Sequence, residues 1–213
     1  MIELTALDEA DISLLEDSYN AIRNKDSVEI VSDLSEKQKI TRKILSVISL
    51  PNNCVLSIQN LLKLKLTNGQ FFIAQCLLDY DYPVSRKLSQ SFDREYKYQL
   101  VAVAESNVDL GKTLLRPEIT SDKIVGRFLK TDIDIANAHH FNNKYYLISN
   151  KEEQILRVFT KGFLDAISSS ENIYLFTRGK DIFLTFDSDL EPQHSRIAEE
   201  VFLNFRFLAS LPT

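Results

Sequence analysis

From residue 141 onward, the spacing of apolar positions changes period several times. Positions 144–149 are rich in β-branched and aromatic residues and predict a strand. Over 151–169 the period becomes helical: Ile155, Phe159, Phe163 and Ile167 share one stripe, and Asn150 stands where an N-cap belongs. Residues 172–176 and 181–186 predict the two strands of a hairpin, joined through 177–180 with Gly179 at the turn. Pro192 suits the first turn of a last helix that puts Ile197, Val201, Phe202, Phe205 and Leu208 on one face.

Such helices and such a hairpin need a sheet to cover. Upstream, 60–66 alternates apolar and polar residues, and Asn68 with Gly69 supplies a hairpin turn. A return strand runs over 71–82 and ends at Pro83; the polar stretch 84–93 reads as a loop, and 96–105 as a third strand. Ahead of these, 35–48 has Ser35 as a cap and Ile40, Ile44, Leu45 and Ile48 as a helical stripe, while Ile12, Leu15, Tyr19 and Ile22 make an earlier one. The expected fold is α+β: an antiparallel sheet of about five to seven strands, covered mainly on one side by helices. It divides into an N-terminal helical segment, 1–51, and an α+β domain, 52–213, because no Gly-rich linker interrupts the latter.

Composition narrows the class. With 44% hydrophobic and 26% charged residues in 213, the chain has the balance of a globular domain. The net charge is −5, but residues 1–35 hold nine acids against Arg23 and Lys25. A basic stretch follows, with Lys37, Lys39, Arg42 and Lys43 flanking the second stripe. Nothing forms the dense basic face that nucleic-acid binding requires. Cys54 and Cys76 sit among apolar neighbours and read as buried, reduced thiols. No secretory pattern opens the chain and no apolar run approaches membrane-spanning length, so a cytoplasmic protein is expected.

Candidate chemistry is sparse. Asp132, Asp134, His139 and His140 lie within nine residues and offer the ligand types of a zinc-like site. Asp79 and Asp81, two apart, could share a strand face as paired acids do. There is no Gly-x-Ser-x-Gly elbow, and Lys112 and Thr113 after Gly111 lack the leading glycine of a phosphate loop. No cofactor is expected. Tyr80, Tyr82, Tyr96 and Tyr98 fall in strands and could line a sheet face that binds a protein partner. Lys39, Arg42 and Lys43 on their amphipathic helix could meet an acidic partner or the surface of an anionic membrane.

Four short motifs occur in a recognisable order: Tyr80, Asp81 and Tyr82; Leu115 through Glu118; Asp132 through Ile135; and Phe141 with Tyr145, Tyr146 and Leu147. Together with the terminal helix, hairpin and helix, they make residues 60–211 resemble a group of uncharacterised bacterial proteins. Many members of that group carry the domain after a membrane anchor, whereas here an acidic and then a basic segment takes that place. The resemblance implies an α+β domain of unknown function and brings no catalytic residues. The sequence therefore predicts a non-enzymatic protein-interaction or regulatory domain that could act at the membrane surface. The alternative is a small-molecule or metal-dependent enzyme using residues 132–140.

Overall fold

The computed structural model describes residues 28–48, 50, 52–66, 69–86, 89–106, 108–118, 132–169 and 173–186. The stripe at Ile12, Leu15, Tyr19 and Ile22 and the terminal helix from Pro192 lie outside the described residues. Among the described residues twelve elements occur: β1 (Val28–Ile30), α1 (Leu34–Leu45), β2 (Cys54–Leu66), β3 (Gly69–Arg86), β4 (Ser89–Glu105), β5 (Lys112–Pro117), α2 (His139–Lys144), β6 (Tyr145–Ser149), α3 (Glu152–Val158), α4 (Lys161–Ser169), β7 (Ile173–Arg178) and β8 (Asp181–Phe186).

The eight strands form one sheet in the order β1-β2-β3-β4-β8-β7-β5-β6. Every described strand pair is antiparallel. One strand more than expected is present. Part of it, β1, comes from the segment expected to be helical: Val28, Glu29 and Ile30 pair with Leu64, Lys63 and Leu62.

Three hairpins have two-residue connections. Leu66 pairs with Gly69, so Gly69 belongs to the strand and the connecting residues are Thr67 and Asn68. Arg178 pairs with Asp181 across Gly179 and Lys180. Gly179 has φ 63° and Lys180 does not share that sign, the pattern of a type II′ turn, which matches the twist of the flanking strands. Arg86 pairs with Ser89. This last pairing corrects the expected loop at 84–93: β3 passes through Pro83, and β4 starts at Ser89 instead of residue 96. Pro83 lies beyond Tyr80, where β2 stops, so β3 is there an edge strand able to tolerate a missing backbone donor.

Helices cover both faces, where one had been expected to dominate. On one face Phe141 of α2, Ile155 of α3, and Phe163 and Ile167 of α4 pack with Leu62, Leu64, Phe71, Ile73, Leu175 and Leu184. On the other, Ile40 and Ile44 of α1 pack with Leu61, Phe72, Ala74, Cys76, Val101 and Phe183. Burying side chains of this size stabilises by about 1.5–3 kcal/mol each relative to exposure.

A single bulge keeps the apolar positions of β2 on one face across an odd spacing. Ile58 pairs with Cys76, but the next pair is Asn60 with Gln75, leaving Gln59 as the extra residue. Alternation resets there. Cys54 and Leu56 before the bulge and Leu61 after it all join the α1 core, and Leu62 and Leu64 join the opposite one.

Local chemistry explains the helix ends. Asp33, not Ser35, caps α1: its carboxylate accepts from Ser35 N at 3.0 Å and from Ser35 Oγ at 2.7 Å. The helix stops at Leu45, short of the expected residue 48. The helix expected over 151–169 is two helices, broken at Phe159 and Thr160. Thr160 Oγ1 accepts from Phe163 N at 3.4 Å, and Thr160 O from Leu164 N at 3.0 Å. Asn150 caps neither; its Oδ1 accepts from Lys112 N at 2.7 Å, tying β6 to β5.

Candidate functional site

Strands β3 and β4 outrun their neighbours. β2 pairs with β3 only as far as Tyr80, and β8 pairs with β4 only from Val101 to Glu105. Beyond those limits the two strands continue together from Asp81 with Arg94 to Arg86 with Ser89. The result is a two-stranded ribbon extending from the sheet. Among the described residues, no strand pairs with the outer edge of β4 over 89–99 or of β3 over 81–86. Such edges present unpaired backbone donors and acceptors, the template on which another strand can add.

Register divides the four tyrosines. Tyr80 pairs with Glu95 and Tyr82 with Asp93, whereas Tyr96 pairs with Asp79 and Tyr98 with Leu77. Opposite residues share a face and successive residues alternate, so positions 80 and 82 belong to one set and 96 and 98 to the other. The register therefore sorts these positions into alternate sets on the two faces of the ribbon. Tyr80 itself is half-buried against the α1 core, paired with Cys54. Asp79 and Asp81 do fall in one alternating set, but position 81 lies opposite Arg94. Asp79 Oδ1 is buried at the root of the ribbon and has no hydrogen-bond partner.

The basic helix separates just as plainly. Lys43 is half-buried; it donates to Asp181 and lies 3.6 Å from Glu105. Those acids pair directly across β4 and β8, where two negative charges would repel, and Lys43 bridges the two. Lys37 donates to the carbonyl of Gln59, the bulge residue, at 3.0 Å. Lys39 and Arg42 are exposed. Lys39 borders a shallow cleft between α1 and the sheet, with Glu36, Gln70, Phe72 and Glu105 among its walls. Of the three cations singled out by sequence, two thus remain available to an external partner. The acids that occupy the third come from strands far along the chain, and no local signal identifies them.

Asp132, Asp134, His139 and His140 are not drawn into a ligand set. Asp134 and both histidines are exposed, and among the described residues no three His, Cys, Asp or Glu side chains are placed to hold a metal ion. The segment is organised by other groups. Asn142 receives from Ile135 N at 3.1 Å and donates to Ile135 O at 2.9 Å, while Ile133 N donates to Leu147 O at 2.8 Å.

The Gly111, Lys112 and Thr113 segment is likewise structural. Thr113 Oγ1 reaches Leu110 O at 3.1 Å and Ser149 Oγ at 2.8 Å; Thr177 Oγ1 donates to Gly111 O at 3.0 Å. These buried hydroxyls have partners within the sheet, so they brace β5, β6 and β7.

Cys54 and Cys76 are free and buried. Burial pushes the Cys76 thiol up to about 12. It also raises Cys54, against a side-chain hydrogen bond with Tyr80 that favours the thiolate. Neither thiol has the lowered pKa of a nucleophile.

No helix among the described residues is long and apolar enough to cross a membrane. No family model matches this chain, and no curated protein or solved structure is significantly similar to it.

Proposed function

We propose that this chain is a non-enzymatic protein-interaction domain that recognises its partner through the β3–β4 ribbon. The observation that carries the reading is the pair of backbone edges, beyond Tyr80 on β3 and before Val101 on β4, that pair with no strand among the described residues. A rigid sheet, packed on both faces, anchors the ribbon's root. A cytoplasmic setting belongs to the same proposal and is supported by two free, buried cysteines. So does kinship with the uncharacterised bacterial group, which rests on the motifs alone.

The test is a shortened ribbon. Tyr80 pairs with Glu95, so replacing residues 81–94 by Asn-Gly keeps every other strand pair and closes the hairpin early. Partners captured from source-cell extract by the full chain should be lost by the shortened one, provided thermal unfolding confirms that it folds. A partner retained equally by both would remove the ribbon from the recognition role.

A membrane-surface role is a second reading with its own observation. On α1, Leu34 and Leu45 are exposed by 67% and 44%, alongside the exposed Lys39 and Arg42. The reading predicts salt-sensitive binding to anionic vesicles that weakens when Lys39 and Arg42 become Gln. Equal binding by both proteins would reject it. Lys43 is excluded from the test because Asp181 and Glu105 already hold it.

A further inference from the structure

We propose that the cleft between α1 and the sheet binds a free α-amino acid with an apolar side chain. Lys39 donates to its carboxylate, and Glu105 accepts from its ammonium. This goes beyond the ribbon reading and rests on neither the ribbon nor a membrane.

The cleft follows from two periodicities. Glu36, Lys39, Ile40 and Lys43 recur at helical spacing, so they share the side of α1 that overlies β3 and β4. On the sheet Phe72 pairs with Val103. Gln70 and Glu105 each stand two positions along from these, which returns them to the same face. Helix and sheet thus border about 430 Å³ of empty space, counted out to where it opens to solvent. Small-molecule pockets occupy roughly 300–1,000 Å³, so a ligand here must be small. Ile40, Phe72 and Val103 are buried members of the α1 core and supply an apolar floor.

The charges around that floor sort into engaged and spare. Glu36 lies 3.5 Å from Lys63, and Lys43 donates to Asp181. Lys39 makes no hydrogen bond or ion pair among the described residues. Glu105 comes no closer to Lys43 than 3.6 Å, beyond hydrogen-bond distance, and its side chain is 67% exposed. One ammonium and one carboxylate are therefore spare above an apolar surface. Lys39, Lys43 and Lys63 balance Glu36, Glu105 and Asp181 in charge, so the site favours a ligand of zero net charge. A zwitterion answers both spare groups with charge-assisted hydrogen bonds. Its charges belong at one end and its hydrocarbon at the other, the layout of leucine or phenylalanine.

Isothermal titration calorimetry of the full chain with L-phenylalanine and L-leucine tests this. Both should bind, and glycine, with no side chain to cover the floor, should bind about tenfold more weakly. Hydrocinnamate lacks the ammonium and phenethylamine lacks the carboxylate; each should bind about tenfold more weakly than phenylalanine. Lys39→Gln should erase the preference for phenylalanine over phenethylamine and keep the preference over hydrocinnamate. Glu105→Gln should do the reverse. Both positions are exposed, and thermal unfolding verifies that the two variants fold. Neither amino acid binding at millimolar concentration would overturn the site. So would glycine binding as tightly as phenylalanine, or variants that leave both preferences unchanged. Either failure leaves the ribbon and vesicle experiments to decide the proposed function separately.

Discussion

Lys43 of α1 donates its ammonium to Asp181 of β8, a residue 138 positions later in the chain. Glu105 pairs directly with Asp181, so the same ammonium separates two carboxylates that the sheet forces together. The contact pins the C-terminal turn of α1 over the junction of β4 and β8. Arg178 adds a second tie there, donating to Ser46 O at 2.8 Å.

Lys43→Ala should therefore destabilise the fold by about 1 kcal/mol, a figure held down by solvent screening of partly exposed charges. Arg42→Ala, at an exposed position, should stay within about 0.5 kcal/mol. Urea midpoints of the two variants make the comparison; equal losses would mean that the acids on β4 and β8 do not depend on Lys43.

Two glycines with nearly the same φ should respond differently to alanine. Gly111 has φ 64°, and a Cβ there would run into Asn150 Oδ1 and approach Lys151 Cγ to 2.9 Å. Gly179 has φ 63° with nothing within 4 Å. Gly179→Ala should cost about 1 kcal/mol from backbone strain alone. Gly111→Ala should cost more than twice that, because it also displaces the acceptor of the Lys112 N–H. Thermal unfolding of both variants reads the difference, and matching shifts would refute the crowding argument.

Asp79 should be a stabilising site for substitution. Its Oδ1 is buried without a partner, and the residue sits opposite Val55 in the sheet. Asp79→Val removes the unsatisfied acceptor and inserts a strand-favouring side chain, for an expected gain of about 1–2 kcal/mol. A lower unfolding midpoint would show that the carboxylate has a compensating contact.

The thiols should be inert in the folded protein. Iodoacetamide at pH 8 should label Cys76 slowest, since its thiol lies near 12 and is buried, and urea should expose both thiols to rapid alkylation. Mass spectrometry of timed samples distinguishes the sites. Rapid native labelling of Cys76 would contradict its burial.

Acid should weaken the fold through three surface carboxylates. Hydrogen bonding by Lys65 lowers Glu29, by Ser35 lowers Asp33, and by Lys151 lowers Asp109. Their contribution is complete above the unfolded values, 4.5 for Glu29 and 3.8 for the aspartates, and is lost as pH falls through and below that range. Unfolding midpoints should drop as pH falls from about 5 to about 3, across the carboxylate range, and drop less in a Glu29→Gln, Asp33→Asn, Asp109→Asn variant. Identical pH profiles for the two proteins would sever the link.

Much of the sheet was legible because its hairpins announce themselves locally. Gly179 marks one turn, and Asn68 with Gly69 marks another to within one residue. α1 was legible in part from its stripe: Ile40 and Ile44 are buried, while Leu45 is exposed and Ile48 lies past the helix end. The α3–α4 break was not, because Ile155, Phe159, Phe163 and Ile167 all enter one core and a continuous stripe serves two helices. The ribbon was hidden for the opposite reason. Among the described residues no strand neighbours β3 beyond Tyr80 or β4 before Val101, so no core-facing alternation marks 84–93, and Pro83 reads as a stop. The division of the tyrosines depends on register between strands, which alternation within one strand does not encode.

The bulge at Gln59 reconciles an odd spacing in the sequence with a single face in the sheet. Ile58 and Leu61 stand three residues apart yet lie opposite Cys76 and Ala74, which are two apart, because Gln59 is the extra residue. Deleting it would leave those pairings as they are and make β2 a regular strand, at the expense of the carbonyl that Lys37 holds. Within β2, a one-codon deletion should therefore be absorbed best at this position, while the same loss further along, at Leu62, would turn the upstream residues to the opposite face.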